Sequence, residues 1–386
     1  MSIQKRGEGS WFLTVSCGRG QDGKYIRKTK TVKCRTKQEA KNELAKFRVE
    51  VESGEYIAPE KMTFSTFVEE WRVKYAEKHL GKKTLETYQD HLSTRLLPVF
   101  GHKRLDDIKT FQLLDFFERV SHEPRRDGKE GTISPGTVQI IHRVAKNVFS
   151  RAVDWKIIKS NPLDGVKKPK SEAREMDVYD KEEVELLFLA LEREPIQWRI
   201  MIALALTAGL RRGELLGLEW KHIDLEAGTI DVRQSLSFTR DGGYEIKDPK
   251  TRNSVRKISL PAHMLKELKE YRRHCARERD KVVDLWEGDD SHHFVFTGWN
   301  GKPLNPYSVK TWWKRFHAKH SLKYIRFHDL RHTSATLLLN SGVHAKVISA
   351  RLGHANITTT LNIYAHVLQE ADQAAADKLN DIFKAR

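Results

Sequence analysis

Two short stretches near the end of the chain decide its interpretation: FHDLRHT at residues 327–333, and LGHANITTT at residues 352–360, which is followed by Tyr364. His328 and Arg331 lie three positions apart in a segment that we expect to be helical, so they share one helix face. An arginine guanidinium binds two phosphoryl oxygens at once, which a lysine does less well. Together with Arg211 in an upstream stretch, this set is suited to hold a phosphodiester beside a tyrosine hydroxyl.

Two further residues complete the candidate site, although each has an ordinary structural explanation when taken alone. His354 follows Leu352-Gly353, a helix-ending signal, so its ring is expected to project from a loop. Lys250 lies in a predicted turn between two strands, where a hairpin tip can carry a general acid to a leaving oxygen, with Lys247 and Lys257 as competitors.

His328 and His332 are four positions apart, a spacing that zinc sites also use. No glutamate follows His328 as in HExxH, and Arg331 would place positive charge beside the ion. We therefore expect no metal at this motif.

The composition favours a polyanionic partner. Lys and Arg outnumber Asp and Glu by 69 to 52 over 386 residues, which gives a net charge of +17 and points to nucleic acid. Three cysteines without a CxxC pair suggest free thiols in a reducing compartment. We see no signal peptide at the N-terminus and no apolar run long enough to cross a membrane.

The pattern of elements predicts an α+β protein of several domains. Residues 1–56 read as two or three strands followed by one helix, opened by the capping box at 36–39. Residues 1–50 contain 13 Lys or Arg and 5 Asp or Glu. The side of the sheet that the helix does not cover is therefore expected to be basic. It is expected either to lie in a DNA groove or simply to be solvated.

Residues 62–165 carry amphipathic helices that can bury one shared core, and Ser134-Pro135 predicts an N-cap followed by proline at the first position of one of these helices. Residues 174–386 begin with the helix cap at Asp180, continue through a buried helix to Thr207, and then show strand patterns between 229 and 260. Helices return after that, so this largest domain is expected to be mostly α with a small antiparallel sheet.

The joint occurrence of TAGLRRGEL (207–215), PKT (249–251), HDLRH (328–332), LGH (352–354) and Tyr364 resembles the signature of the tyrosine recombinase, or phage integrase, family. The resemblance extends over nearly the whole chain and is strongest to integrases of temperate phages and integrative conjugative elements of Gram-positive bacteria. It implies an arm-type DNA-binding domain at 1–56, a helical SAM-like core-binding domain at 62–165 and the catalytic domain at 174–386.

The resemblance also implies the chemistry: strand cleavage and rejoining through a 3′-phosphotyrosyl intermediate, without metal or nucleotide cofactor. Tyr364 would be the nucleophile, and Arg211 and Arg331 would clamp the non-bridging oxygens. Lys250 would protonate the leaving 5′-oxygen, His328 would act as general acid and base, and His354 would donate to the phosphate. Glu214 is expected to orient Arg211.

The same resemblance implies the partners: double-stranded DNA with core and arm sites, a homo-tetramer on that DNA, and accessory proteins such as a host bending factor and an excisionase. It places the protein in the bacterial cytoplasm, at the nucleoid. We expect the apolar residues of 365–386 to dock on a neighbouring subunit. Three other functions remain open from the sequence: a type IB topoisomerase, a catalytically silent DNA-binding factor and a metal-dependent nuclease.

Overall fold

The computed structural model describes residues 1–19, 25–53, 62–125, 128, 130–170, 176–239, 242–248, 255–289, 291–354, 380 and 383. It divides into two compact units, residues 1–173 and residues 174–386. Over the described part of the chain, no helix has the length and apolar character needed to cross a membrane.

The first unit opens with a small sheet packed on one helix. Its strands β1 (Ser2–Gly7), β2 (Ser10–Arg19) and β3 (Tyr25–Lys33) are antiparallel in the order β1-β2-β3. Helix α1 (Lys37–Glu52) begins where the Thr36 side chain accepts a hydrogen bond from the Glu39 amide, as the capping box predicts. Strand β2 alternates strictly, because Leu13 and Val15 are buried and pack with Phe47 of the helix.

The register of this sheet divides its basic residues between two faces. Lys28 and Lys30 pair with Val15 and Leu13, so they lie on the helix side, and Lys30 Nζ is 3.4 Å from a Glu50 carboxylate oxygen. The opposite face carries Phe12, and the Arg6 guanidinium lies 4.0 Å from the centre of its ring. The free face is therefore less densely basic than composition alone suggests.

Among the described residues of the first unit, six more helices follow: α2 (Phe64–Trp71), α3 (Glu77–His79), α4 (Lys82–His91), α5 (Leu97–Phe100), α6 (Thr110–His122) and α7 (Pro135–Asp154). Two π-type turns, Arg72–Ala76 and Leu92–Leu96, join α2 to α3 and α4 to α5. The core is aromatic, and the Trp71 indole within it donates to Asn147 Oδ1 at 3.1 Å. Ser134 caps α7 and Pro135 is its first residue, as predicted.

The second unit contains α8 (Lys181–Leu191), α9 (Ile196–Thr207), α10 (Arg212–Leu216), α11 (Ala262–Asp280), α12 (Pro306–His320), α13 (Asp329–Asn340) and α14 (Ala345–Leu352). Residues 200–206 of α9 are all buried, so this helix forms the centre of the core. Asp180 caps α8 by accepting from the Glu183 amide at 2.7 Å.

In the part of this unit that the structure describes, the strands form two small sheets rather than the one that we expected. They are β4 (Ile223–Asp224), β5 (Thr229–Val232), β6 (Ser235–Phe238), β7 (Tyr244–Lys247) and β8 (Arg256–Ser259). One sheet has the order β4-β5-β8 and the other pairs β6 with β7. The strand pattern that begins at residue 229 is thus interrupted after Val232, because β5 pairs with β8 and β6 pairs with β7.

Candidate active site

The stretch TAGLRRGEL forms a sharp junction between α9 and α10. Gly209 has a φ of 60°, a left-handed conformation that only glycine adopts readily, and it ends the turn after α9. Arg211 is the N-cap residue of α10, and Glu214 closes a capping interaction by accepting from the Arg211 amide at 2.9 Å. The Arg211 Nη1 donates to the same carboxylate at 2.7 Å. One acidic side chain therefore fixes both the backbone and the guanidinium of Arg211.

Two further glycines allow α10 to lie directly against β6. A Cβ atom at Gly213 would be 2.7 Å from Ser235 Oγ, and one at Gly217 would be 2.9 Å from the Leu236 amide nitrogen. Both distances are too short for a real side chain, so only glycine permits this approach. The RGELLG spacing therefore sets how closely the short helix that follows Arg211 packs on the sheet.

Arg331 lies on α13 and is 2% exposed. Its Nη1 donates to the Gly209 carbonyl at 2.7 Å and its Nη2 to the Leu352 carbonyl at 2.5 Å. These acceptors come from the α9–α10 junction and from the end of α14. Two backbone oxygens from distant parts of the chain thus hold the guanidinium in one position.

The turn that ends α14 brings the second arginine to the same place. Gly353 has a φ of 66° and ends the helix, as its sequence position predicts. Its carbonyl accepts from Arg211 Nη2 at 3.1 Å, next to the Leu352 carbonyl that holds Arg331. His354 is the next residue. The structure therefore brings together Arg211, Arg331 and His354.

Three histidines of this region have lowered pKa values. Burial, followed by the charges of Arg331 and Arg211, lowers the pKa of His354 to about 4. Burial and the neighbouring His328 lower the pKa of His332 to about 4, and the two rings are 5.3 Å apart, edge to face. His328, the N-cap residue of α13, keeps an exposed edge, and partial desolvation followed by Arg331 lowers its pKa as well. With neutral imidazoles, the positive charge of the site rests on the guanidinium groups.

The sequence interpretation missed one residue of this site, Arg256 on β8. Its side chain donates to both Glu214 carboxylate oxygens, at 2.8 and 3.2 Å, and its Nε donates to the Arg351 carbonyl at 2.7 Å. Arg256 is 9% exposed and stands in an alternating pattern with the buried Ile258 and Leu260. An arginine at an inward strand position was the signal that could have identified it.

Asp329 lies between the two histidines of the HDLRH stretch. It forms an ion pair with Arg326. Arg326 donates to its two carboxylate oxygens, both at 2.8 Å, and Asp329 as a whole is 2% exposed. This fork holds the start of α13, on which Arg331 lies.

Lys250, Tyr364 and nearly all of 365–386 lie outside the described residues. Lys250 belongs to the segment between β7 and β8, and Tyr364 follows the turn that contains His354. Lys247, one of the two lysines that compete with Lys250 for the role of general acid, forms an ion pair with Glu245, with their charged atoms 3.3 Å apart.

Residues 177–371 match the Phage integrase family, and residues 63–120 match the N-terminal SAM-like domain of phage integrases. The chain is 28% identical to the "Tyrosine recombinase XerC-like" protein of Caldanaerobacter subterraneus subsp. tengcongensis, with 98% of each chain covered. It is 26% identical to the ICEBs1 integrase of Bacillus subtilis, over 99% of this chain and 100% of that protein. Among solved structures, the Tn1549 transposon integrase in complex with transposon right end DNA has the same fold, with a TM-score of 0.67, 22% identity and coverage of 83% of this chain and 100% of that one.

Proposed function

Because the chain belongs to the phage integrase family of tyrosine recombinases, we propose that it integrates and excises a mobile DNA element by cutting and rejoining double-stranded DNA at specific sites. The observation that supports this most directly is the convergence of Arg211 and Arg331 on the adjacent carbonyls of Gly353 and Leu352. Two guanidinium groups fixed side by side before any ligand arrives are suited to a group that gains negative charge during reaction.

In this proposal Arg211 and Arg331 bind the non-bridging oxygens of the scissile phosphate. Those oxygens carry more charge in the pentavalent transition state than in the ground state, so fixed cations stabilise the transition state selectively. His354 follows the same turn, and its neutral ring donates one hydrogen bond to the phosphate.

Tyr364 supplies the nucleophile. Its Oη attacks the phosphorus atom, the bond from phosphorus to the 5′-oxygen breaks, and a 3′-phosphotyrosyl ester forms. His328 accepts the tyrosine proton, and Lys250 donates a proton to the departing 5′-oxygen. Rejoining is the reverse reaction with a 5′-hydroxyl of the partner strand. Because the ester conserves the phosphodiester bond energy, no ATP is needed.

The rest of the chain recognises DNA in this proposal. The core site is bound by two domains, the core-binding domain at 62–165 and the catalytic domain at 174–386. The arm sites are bound by residues 1–56, through the sheet face that carries Arg6 and Phe12. Each chain has one nucleophile and recombination cuts four strands, so the working unit is a tetramer, with residues 365–386 docking on a neighbour. A host bending factor and an excisionase set the direction, at the nucleoid of the bacterial cytoplasm.

Arg211 and Arg331 together are called the arginine clamp. Single-turnover cleavage of a nicked duplex that carries the element's attachment core tests their role. Arg211→Ala and Arg331→Ala should each slow cleavage by several orders of magnitude, since removal of one preorganised donor alone costs about 10²–10³-fold. Arg277→Ala, an exposed arginine of α11, is the matched control and should cleave at the wild-type rate. Binding in gel shifts should survive in all three variants. Normal cleavage by either clamp variant would refute the assignment.

A further inference from the structure

Arg256 connects three parts of the second unit through one planar group. Its Nη atoms reach both oxygens of Glu214 on α10, and its Nε reaches the Arg351 carbonyl in the last turn of α14. The Arg256 side chain itself belongs to β8. These contacts link the sheet to the two backbone segments that hold the arginine clamp.

Glu214 is shared between two guanidinium groups that have different exposure. The side chains of Glu214 and Arg256 are 7% and 6% exposed, whereas that of Arg211 is 37% exposed. Arg211 is thus open to a ligand, and Arg256 is enclosed behind the carboxylate. Burial raises the pKa of Glu214, but the hydrogen bonds and charges of Arg256 and then Arg211 outweigh it and lower the pKa overall.

We propose that Arg256 is a positioning residue for strand cleavage, which fixes the Glu214 carboxylate that orients Arg211 and fixes the α14 terminus that presents the Leu352 and Gly353 carbonyls. The inference rests on the proposed function of Arg211 and Arg331. Arg256 does not contact the phosphate, because its fork is turned towards Glu214 and Arg351 inside the domain.

The geometry requires arginine rather than lysine. Arg256 donates in three directions within one plane, to two carboxylate oxygens and to a carbonyl on another element. A lysine has a single nitrogen and cannot span these acceptors in the same arrangement. Arg256→Lys therefore keeps the charge that balances Glu214 but loses the bridge to α14.

The test measures cleavage and binding separately on the nicked attachment-core duplex. Arg256→Lys should cleave about 10- to 100-fold more slowly, the usual effect of a residue that orients a functional group, while its Kd for the duplex and its thermal unfolding midpoint stay close to wild type. Arg233→Lys is the matched control, because Arg233 follows the neighbouring strand β5 and forms an exposed ion pair with Asp231. It should behave as wild type in all three measurements.

A double-mutant cycle shows whether Arg256 acts through Glu214. Arg256→Met leaves a buried carboxylate with one partner fewer, so it is combined with Glu214→Gln, which removes that charge. The double variant should cleave faster than the product of the two single effects predicts, because the Glu214 route is already broken and only the bridge to α14 remains to be lost. Effects that multiply would overturn the inference.

Two other outcomes would also overturn it. Wild-type cleavage by Arg256→Lys and Arg256→Met would remove the positioning role while leaving the proposed function intact. If Arg256→Lys lowers the affinity for the duplex, the thermal unfolding midpoint and the cleavage rate to the same degree, Arg256 is a purely structural residue. If the wild-type protein itself forms no covalent adduct, the proposed function fails first and the inference falls with it.

Discussion

Replacement of Gly209 by alanine is expected to disturb the arginine clamp from its backbone side. Gly209 has a φ of 60°, and an added Cβ would clash with Leu352 Cδ2. Leu352 is 0% exposed, so its side chain cannot turn away into solvent and must shift against other buried groups. The carbonyls of these same two residues hold Arg331. A shift of either segment therefore moves a hydrogen-bond acceptor of the buried guanidinium.

The magnitude follows from two costs. A left-handed conformation costs a non-glycine residue roughly 1–2 kcal/mol, and forcing an extra methyl group into a packed core costs roughly 1–3 kcal/mol. The sum is about 2–5 kcal/mol of unfolding free energy. Cleavage should fall by a further factor of about 10–100, since a hydrogen bond to a charged group contributes roughly 1.5–3 kcal/mol.

Gly342→Ala is the matched control. Gly342 has a φ of 79°, but nothing lies within 4 Å of the position of its Cβ. This variant has the backbone strain without the clash and lies away from Arg331. Urea unfolding followed by tryptophan fluorescence, together with single-turnover cleavage, measures both effects in full-length protein.

The two glycine variants should differ by about 1–3 kcal/mol in stability, and only Gly209→Ala should lose cleavage at concentrations where it is folded and bound to DNA. If Gly209→Ala unfolds and cleaves as Gly342→Ala does, the packing of Leu352 on this junction does not position Arg331.

Three further predictions concern charge, packing and DNA contact. The pKa of His332 is about 4 in the folded protein against 6.5 unfolded, so protonation favours unfolding. The contribution of His332 to stability should be complete well above pH 6.5 and fall by up to about 3 kcal/mol as the pH drops towards 4; His332→Gln should remove this share of the pH dependence in urea unfolding between pH 7.5 and 4.5 and leave the share of His354. Gly213→Ala should weaken cleavage more than DNA binding, because its Cβ would meet Ser235 Oγ at 2.7 Å and push α10 off the sheet; equal losses in a gel shift would contradict this. Arg6→Ala should reduce the salt dependence of arm-duplex binding by a slope of about 1 and leave cleavage of a core duplex unchanged.

Local signals in the sequence predicted local structure well. The caps at Thr36, Ser134 and Asp180 are confirmed, because each side chain needs only a backbone amide three positions ahead. Gly353 is confirmed as the residue that ends α14, because a left-handed glycine is enough to end a helix. The family resemblance of the site motifs, and no local pattern, led us to expect Arg211, Arg331 and His354 in one site, and the structure brings them together.

Other contacts between distant parts of the chain could not be predicted from the sequence. The break between β5 and β6 depends on β8 pairing with one half and β7 with the other, which periodicity cannot express. The bridge from Arg256 to Glu214 joins residues 42 positions apart, and nothing local distinguishes this arginine from its basic neighbours except its inward position. The division of lysines between the faces of the N-terminal sheet likewise depends on register. The roles of Lys250 and Tyr364 stay predictions.

The most direct test of the account is to map the covalent adduct. The protein is incubated in EDTA with a nicked suicide duplex that carries the element's attachment core, and SDS-resistant protein–DNA complexes are digested and analysed by mass spectrometry. The account predicts an adduct on Tyr364 that Tyr364→Phe abolishes, while Tyr307→Phe, at an exposed tyrosine of α12, leaves it unchanged. An adduct on another residue, or intact DNA binding with no adduct, would contradict it.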